Sequence, residues 1–126
     1  MIKILVDTDI LIDYSKGFFK GLQGLKVRQD KGEAILYLNP VVISEYLADK
    51  SLKNATKLKD ALNFISIFKT ILINKRMGII TAEIMRKNPN LNWKDAMIAA
   101  CCLTEDCQLA TRNRKHFSSV AGLKFA

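Results

Sequence analysis

Ile2-Lys3-Ile4-Leu5-Val6-Asp7-Thr8-Asp9-Ile10-Leu11 is the stretch from which the fold follows. Ile2 to Val6 is short, largely apolar and ended by a polar cluster, which is the pattern of a buried strand. Ile10, Leu11 and Tyr14 then recur at helical spacing, so a helix opens near Thr8. A buried strand that runs straight into an amphipathic helix is the first half of a βαβ unit.

The rest of the chain repeats this alternation. Gly17, Gly21 and Gly24 interrupt the first helical region, and a second helix reaches about Lys31. Ala34–Leu38 reads as a strand. Asn39-Pro40 then starts a helix, with Asn at the N-cap and Pro at the first helical position, and it runs to about Ala48. A helix from Asn54 to Ile67 turns Leu58, Ala61, Leu62 and Ile65 inward. Thr70–Ile73 is a third strand and Lys75–Lys87 a helix, closed by Asn88-Pro89-Asn90. Asn92 caps a helix over Trp93–Thr104. Leu109–Thr111 and Leu123–Phe125 complete the strands. The pattern predicts one α/β domain over residues 1–126, a three-layer α/β/α sandwich around a mainly parallel sheet of about five strands.

Charge bounds the partners. Twenty Lys and Arg against twelve Asp and Glu give a formal +8 in 126 residues, which points to a polyanion such as nucleic acid. No apolar run is long enough to span a bilayer, and Asp7 and Asp9 break the N-terminal stretch before a signal peptide could form. Cys101, Cys102 and Cys107 are odd in number and two are adjacent, a poor disulfide framework that fits a reducing cytoplasm.

Parallel sheets bind ligands beyond the C-terminal ends of their strands. The polar residues there are Asp7 and Asp9 after the first strand, Glu45 in the helix after the second, and Thr111, Arg112 and Asn113 after the fourth. Asp95, in the first turn of the helix from Trp93, reaches the same edge. Converged carboxylates repel one another and resist burial, and a hard divalent cation resolves the conflict. Lys94, Arg112, Arg114 and Lys115 supply a basic rim for a phosphate backbone. Each residue also has a plainer reading. Asp7 caps a helix, Glu45 is a solvated helix residue, Asp95 complements a helix dipole and Asn113 is a turn residue. Their joint placement favours a site.

These residues carry a family resemblance over nearly the whole length. Val6-Asp7-Thr8-Asp9-Ile10-Leu11-Ile12 is similar to the strand-one motif of PIN-domain ribonucleases. So are Asn39 through Glu45-Tyr46-Leu47 to the second block, Asp95-Ala96-Met97-Ile98-Ala99-Ala100 to the third, and Leu109-Ala110-Thr111-Arg112-Asn113 with Phe117 to the fourth. Within the family the chain resembles VapC-type toxins of toxin–antitoxin pairs. The resemblance implies an endoribonuclease dependent on Mg²⁺ or Mn²⁺, an RNA substrate, a cognate antitoxin and a homodimer in the cytoplasm. It assigns catalysis to Asp7, Glu45, Asp95 and Asn113, with metal held by Asp7, Asp95, Glu45 and Asp9. Thr111, Arg112, Arg114, Lys94 and Lys115 face substrate, and the Thr111 hydroxyl suits a carboxylate or a metal-bound water. Asn113 stands where many members carry a fourth acid, Asp9 where most carry Asn, and His116 where toxins often carry another acid.

Other readings remain open at this level. A catalytically inactive RNA- or protein-binding module on the same fold has no need of Asp7, Glu45 and Asp95 together. Asp7-Thr8-Asp9 also resembles the haloacid-dehalogenase phosphatases, whose late acidic pair could only be Glu105-Asp106 here. A response-regulator receiver would need an acid where Asn74 stands. His116 beside Phe117 reads as a surface or packing residue, Cys101 and Cys102 as small core residues, and Trp93 as packing at its helix start.

Overall fold

A computed structural model describes all 126 residues. Five parallel strands form one sheet in the order β3-β2-β1-β4-β5. They are β1 (Ile2–Val6), β2 (Ala34–Leu38), β3 (Lys69–Thr70), β4 (Cys107–Ala110) and β5 (Lys124–Phe125). The helices are α1 (Thr8–Ser15), α2 (Lys20–Asp30), α3 (Pro40–Leu47), α4 (Ala55–Ile65), α5 (Lys75–Lys87), α6 (Trp93–Glu105) and α7 (Arg114–Phe117), with a 3₁₀ turn at Lys50–Lys53. Parallel neighbours require crossovers, and crossovers are right-handed almost without exception. The chain moves from β1 to β2 to β3 in one direction and then back across the sheet to β4, so α1–α4 cover one face and α5–α6 the other. The packing agrees: α1 lies on α2 and α3, α3 on α4, and α5 on α6. This is the expected α/β/α sandwich.

The central strands are apolar because both faces are covered. Ile4, Leu5, Val6, Leu36, Leu38 and Leu109 are essentially inaccessible within a core cluster of 28 residues. Helix α6 is built of small residues on its way through that core. Ala96, Ala99, Ala100, Cys101 and Cys102 are buried, and close approach brings the Cys101 thiol within 3.6 Å of Met77 Sδ on α5. The helix starts are set by side chains. Asn39, Asn54, Asn74 and Asn92 each accept the amide hydrogen bond of the residue three positions on. No Gly follows α6; Asp106 takes the left-handed conformation there, with φ 53°.

Several expectations change. Strand β3 is Lys69–Thr70, not Thr70–Ile73. Beyond Ile71, whose amide still donates to the Leu38 carbonyl at 2.8 Å, Leu72 is 74% exposed and has nothing to pack on. Helix α4 buries Ala61 but leaves Leu58 and Leu62 exposed, since it packs on α3 and the 3₁₀ turn and not on a long strand. Trp93 is 53% exposed and does not pack at its helix start. The cysteines are free and buried, as small core residues should be. No helix is long and apolar enough to cross a membrane.

Candidate active site

The strand order places one position apart from the rest. Chain connections leave β1 and β4 toward opposite sides of the sheet, and the crevice this opens is where ligands bind in such sheets. Val6 pairs with Ala110 across it, so Asp7 and Thr111 are the first residues past the two strand ends and lie side by side. The Asp7 amide donates to the Ala110 carbonyl at 2.9 Å and fixes the backbone there.

Asp7 is 8% exposed. Its Oδ1 accepts from the Thr8 amide at 2.7 Å and its Oδ2 from the Thr111 hydroxyl at 2.8 Å. Despite these bonds its pKa is pushed up to about 6, first by burial and then by the charge of Asp9, with Asp95 adding a smaller push. Asp9 is raised as well, chiefly by burial. Its Oδ2 is 3.2 Å from the same Thr111 hydroxyl and 3.2 Å from the Arg112 amide. A hydroxyl has one proton, and it goes to the nearer carboxylate, Asp7. Asp9 Oδ1 is buried and has no hydrogen-bond partner; the Ile10 amide beside it donates to the Asp7 carbonyl at 3.2 Å and offsets the burial of Asp9 only slightly. Thr111, expected to face substrate, is thus buried and committed to the two acids, with its own oxygen accepting from the Asn113 amide at 3.1 Å.

Asp95 and Glu45 approach from the helices. Asn92 and Asp95 cap each other: the Asp95 amide donates to Asn92 Oδ1 at 2.9 Å and the Asn92 amide group donates to Asp95 Oδ2 at 3.2 Å. His116 Nε2 lies 2.9 Å from the same Asp95 oxygen while its ring sits edge-on to Phe117. Packing against Phe117 was legible in the sequence; the bond to Asp95 was not. Glu45 accepts from the Thr8 hydroxyl at 3.1 Å and pairs with Lys94 Nζ at 3.0 Å. That pair is partly solvated, so it contributes at most about 1 kcal/mol. The Asn113 side chain is exposed and makes no hydrogen bond.

The basic rim is less free than the sequence suggests. Arg112 Nε is held by Asp13 at 2.9 Å. Arg114 donates to the Ala126 carbonyl and lies over the Phe125 ring. Lys115 is exposed at the start of α7. Beside Glu45, a cleft of about 490 Å³ opens between α1 and the 3₁₀ turn, lined by Ile12, Ser15, Lys16 and Tyr46 among others.

No three His, Cys, Asp or Glu side chains converge into a ready-made metal cage. The donor set nevertheless fits a hard cation that keeps its waters. Such an ion takes one or two carboxylates and completes its shell with water and phosphate oxygens. The buried, unpartnered Asp9 oxygen and the burdened Asp7 carboxylate are what it would relieve. Glu105-Asp106 precedes β4, and Lys3 lies 3.9 Å from Glu105. That pair therefore sits at the opposite edge of the sheet and cannot serve as the late acids of a dehalogenase-type phosphatase.

A family model described as the PIN domain matches residues 4–123. Among curated protein sequences none matches. Solved structures share the fold. One is DNA-bound VapBC from Salmonella typhimurium, at 23% identity, with 100% of this chain and 98% of that one covered and a TM-score of 0.81. Another is VapBC2 from Rickettsia felis bound to a DNA fragment from their promoter, at 18% identity over 99% and 98%, with a TM-score of 0.79. A toxin–antitoxin complex from Klebsiella pneumoniae aligns at 23% identity over 95% and 94%, with a TM-score of 0.77.

Proposed function

Since this chain belongs to the PIN-domain family, we propose that it is a Mg²⁺- or Mn²⁺-dependent endoribonuclease and the toxin of a toxin–antitoxin pair of the VapBC kind. The observation that carries the reading is the Asp7–Thr111–Asp9 arrangement at the switch point of the sheet, with Asp95 close enough to raise Asp7 further. Buried acids that burden one another and keep an oxygen unpaired are costly unless a cation uses them.

In this reading Asp7, Asp9, Asp95 and Glu45 would hold the cation between them, one or two carboxylates directly and the others through its bound waters. A bound Mg²⁺ or Mn²⁺ supplies an activated water nucleophile and neutralises charge that builds on the phosphodiester. Thr111 holds Asp7 in place, the Arg112 amide holds Asp9, and Asn92 does the same for Asp95. His116 fixes Asp95 from the side of α7. Lys94 and Lys115, with the outer faces of Arg112 and Arg114, draw in the phosphate backbone. Asn113 serves through its backbone, which ties the loop to Thr111. The whole 126-residue chain acts as one domain in the cytoplasm, its antitoxin covering the site, and two copies form the working unit.

Purified protein should cleave single-stranded or looped RNA when Mg²⁺ or Mn²⁺ is present. Asp7→Asn and Asp95→Asn should each lower the rate by about a hundredfold or more, as loss of a principal charge in such a site does, while circular dichroism stays that of the parent. Cleavage that survives excess EDTA would refute the metal mechanism. Full activity in either variant would remove that residue from the site.

A further inference from the structure

The pair between Lys94 and Glu45 joins two helices that the sequence separates by 49 positions. It is not a structural tie. The Lys94 side chain is 49% exposed and that of Glu45 is 29% exposed, so water competes for both partners. Its location gives it meaning. Lys94 is the neighbour of Asp95 on the first turn of α6. Glu45 is joined through its other oxygen to Thr8, the residue whose amide holds Asp7. The ammonium is therefore linked to both acids, to Asp95 as its chain neighbour and to Asp7 through Glu45 and Thr8. A cation bound to an acid inside a cation site competes with any ion that would enter. A lysine released at the same place is a point charge for a phosphate.

We propose that Lys94 is a built-in counter-ion for Glu45 that is handed to an RNA phosphate when a divalent cation enters the pocket. Metal and RNA binding are thereby coupled. The inference rests on the function proposed above. With the pocket empty, Lys94 neutralises Glu45 and limits repulsion among the acids. Once a divalent cation takes the carboxylate, the ammonium is free and the nearest polyanion gains a contact. Coupling of this kind is reciprocal: the cation strengthens RNA binding, and RNA strengthens cation binding by the same factor.

Isothermal titration of the full chain with Mn²⁺, in the absence of RNA, tests the first half. Lys94→Met removes the competitor and should tighten Mn²⁺ binding by about fivefold, the ceiling for so exposed a pair. In a Glu45→Gln background the same change should move Mn²⁺ affinity by less than about twofold, because the competition acts through that carboxylate. Lys94→Arg, which keeps the pair, should bind Mn²⁺ as the parent does. The second half is read by fluorescence anisotropy with a short single-stranded RNA, with and without Ca²⁺. The parent should bind RNA more tightly with Ca²⁺, and Lys94→Met should lose that gain. Unchanged Mn²⁺ affinity in Lys94→Met overturns the inference. So does a gain that persists in Glu45→Gln, or an RNA response to Ca²⁺ that persists in Lys94→Met. If the parent neither binds Mn²⁺ nor cleaves RNA, the proposed function itself falls. If it does both and Lys94→Met fails to tighten Mn²⁺, only the hand-off falls.

Discussion

Asp7 shows at the scale of one residue why a pocket of this kind destabilises its own fold. Its carboxyl rises from 3.8 to about 6 on folding. Between those pH values the folded chain holds a proton that the unfolded chain has lost, so stability falls as pH climbs through the window, by up to about 3 kcal/mol. Asp7→Asn removes the charge and keeps an oxygen for the Thr8 amide, while Thr111 can turn to accept from the new amide group. The variant should melt several degrees above the parent at pH 7.5 in EDTA, and the gain should vanish below about pH 4. Equal melting points at pH 7.5 would show that Asp7 carries no such burden. Thr111→Val should have a different signature. Without the hydroxyl, Asp7 Oδ2 loses the donor that favours its charged form, a bond worth about 1.5–3 kcal/mol. Cleavage should fall by about two- to fifteenfold near pH 7 and recover in part at pH 8.5. A loss independent of pH would mean that Thr111 acts on something other than the Asp7 charge.

Among the elements, α6 carries both a cap and a candidate catalytic acid in its first turn. Asn92→Ala should cost about 1 kcal/mol in a denaturant titration, the usual price of an N-cap, and should lower cleavage by more than the unfolded fraction explains, since Asp95 loses a partner. Asn54→Ala is the control: it uncaps α4, far from the acids, and should cost similar stability with cleavage unchanged. Equal effects of the two on cleavage would leave Asn92 with a purely structural role. The caps explain what was legible. Asn39-Pro40 and Asn92 announce two helices in the sequence, and the apolar runs of β1 and β2 announce strands; the cap at Asn74 emerges only in the structure. Helix α4 is the counter-example. Leu58, Ala61, Leu62 and Ile65 make a stripe at helical spacing, but a stripe does not say how much surface lies beneath it, and a two-residue β3 offers little. At the site, strand ends located Asp7 and Thr111, while the pairs Lys94–Glu45, Arg112–Asp13 and His116–Asp95 were illegible. Each joins segments far apart in sequence, and side-chain rotamers choose among several partners of suitable charge.

For the molecule as a whole, a formal +8 sets the terms on which a polyanion is met. RNA affinity should decline linearly in a plot of log K against log salt, with a slope of about 0.7 per phosphate neutralised. Binding indifferent to salt between low and physiological ionic strength would mean that the positive charge does not face the RNA. The sheet order adds a consequence in time. Asp7 leads the chain, yet its Thr111 partner lies 104 residues later, and β4 must slot beside β1 before the two can meet. A ribosome adding about 5–20 residues per second needs several seconds to cover that interval. Throughout it the first strand waits with one edge bare and its acid unassembled. Until β4 is made the nascent chain lacks the Thr111 hydroxyl that Asp7 accepts from, and the proposed site is incomplete.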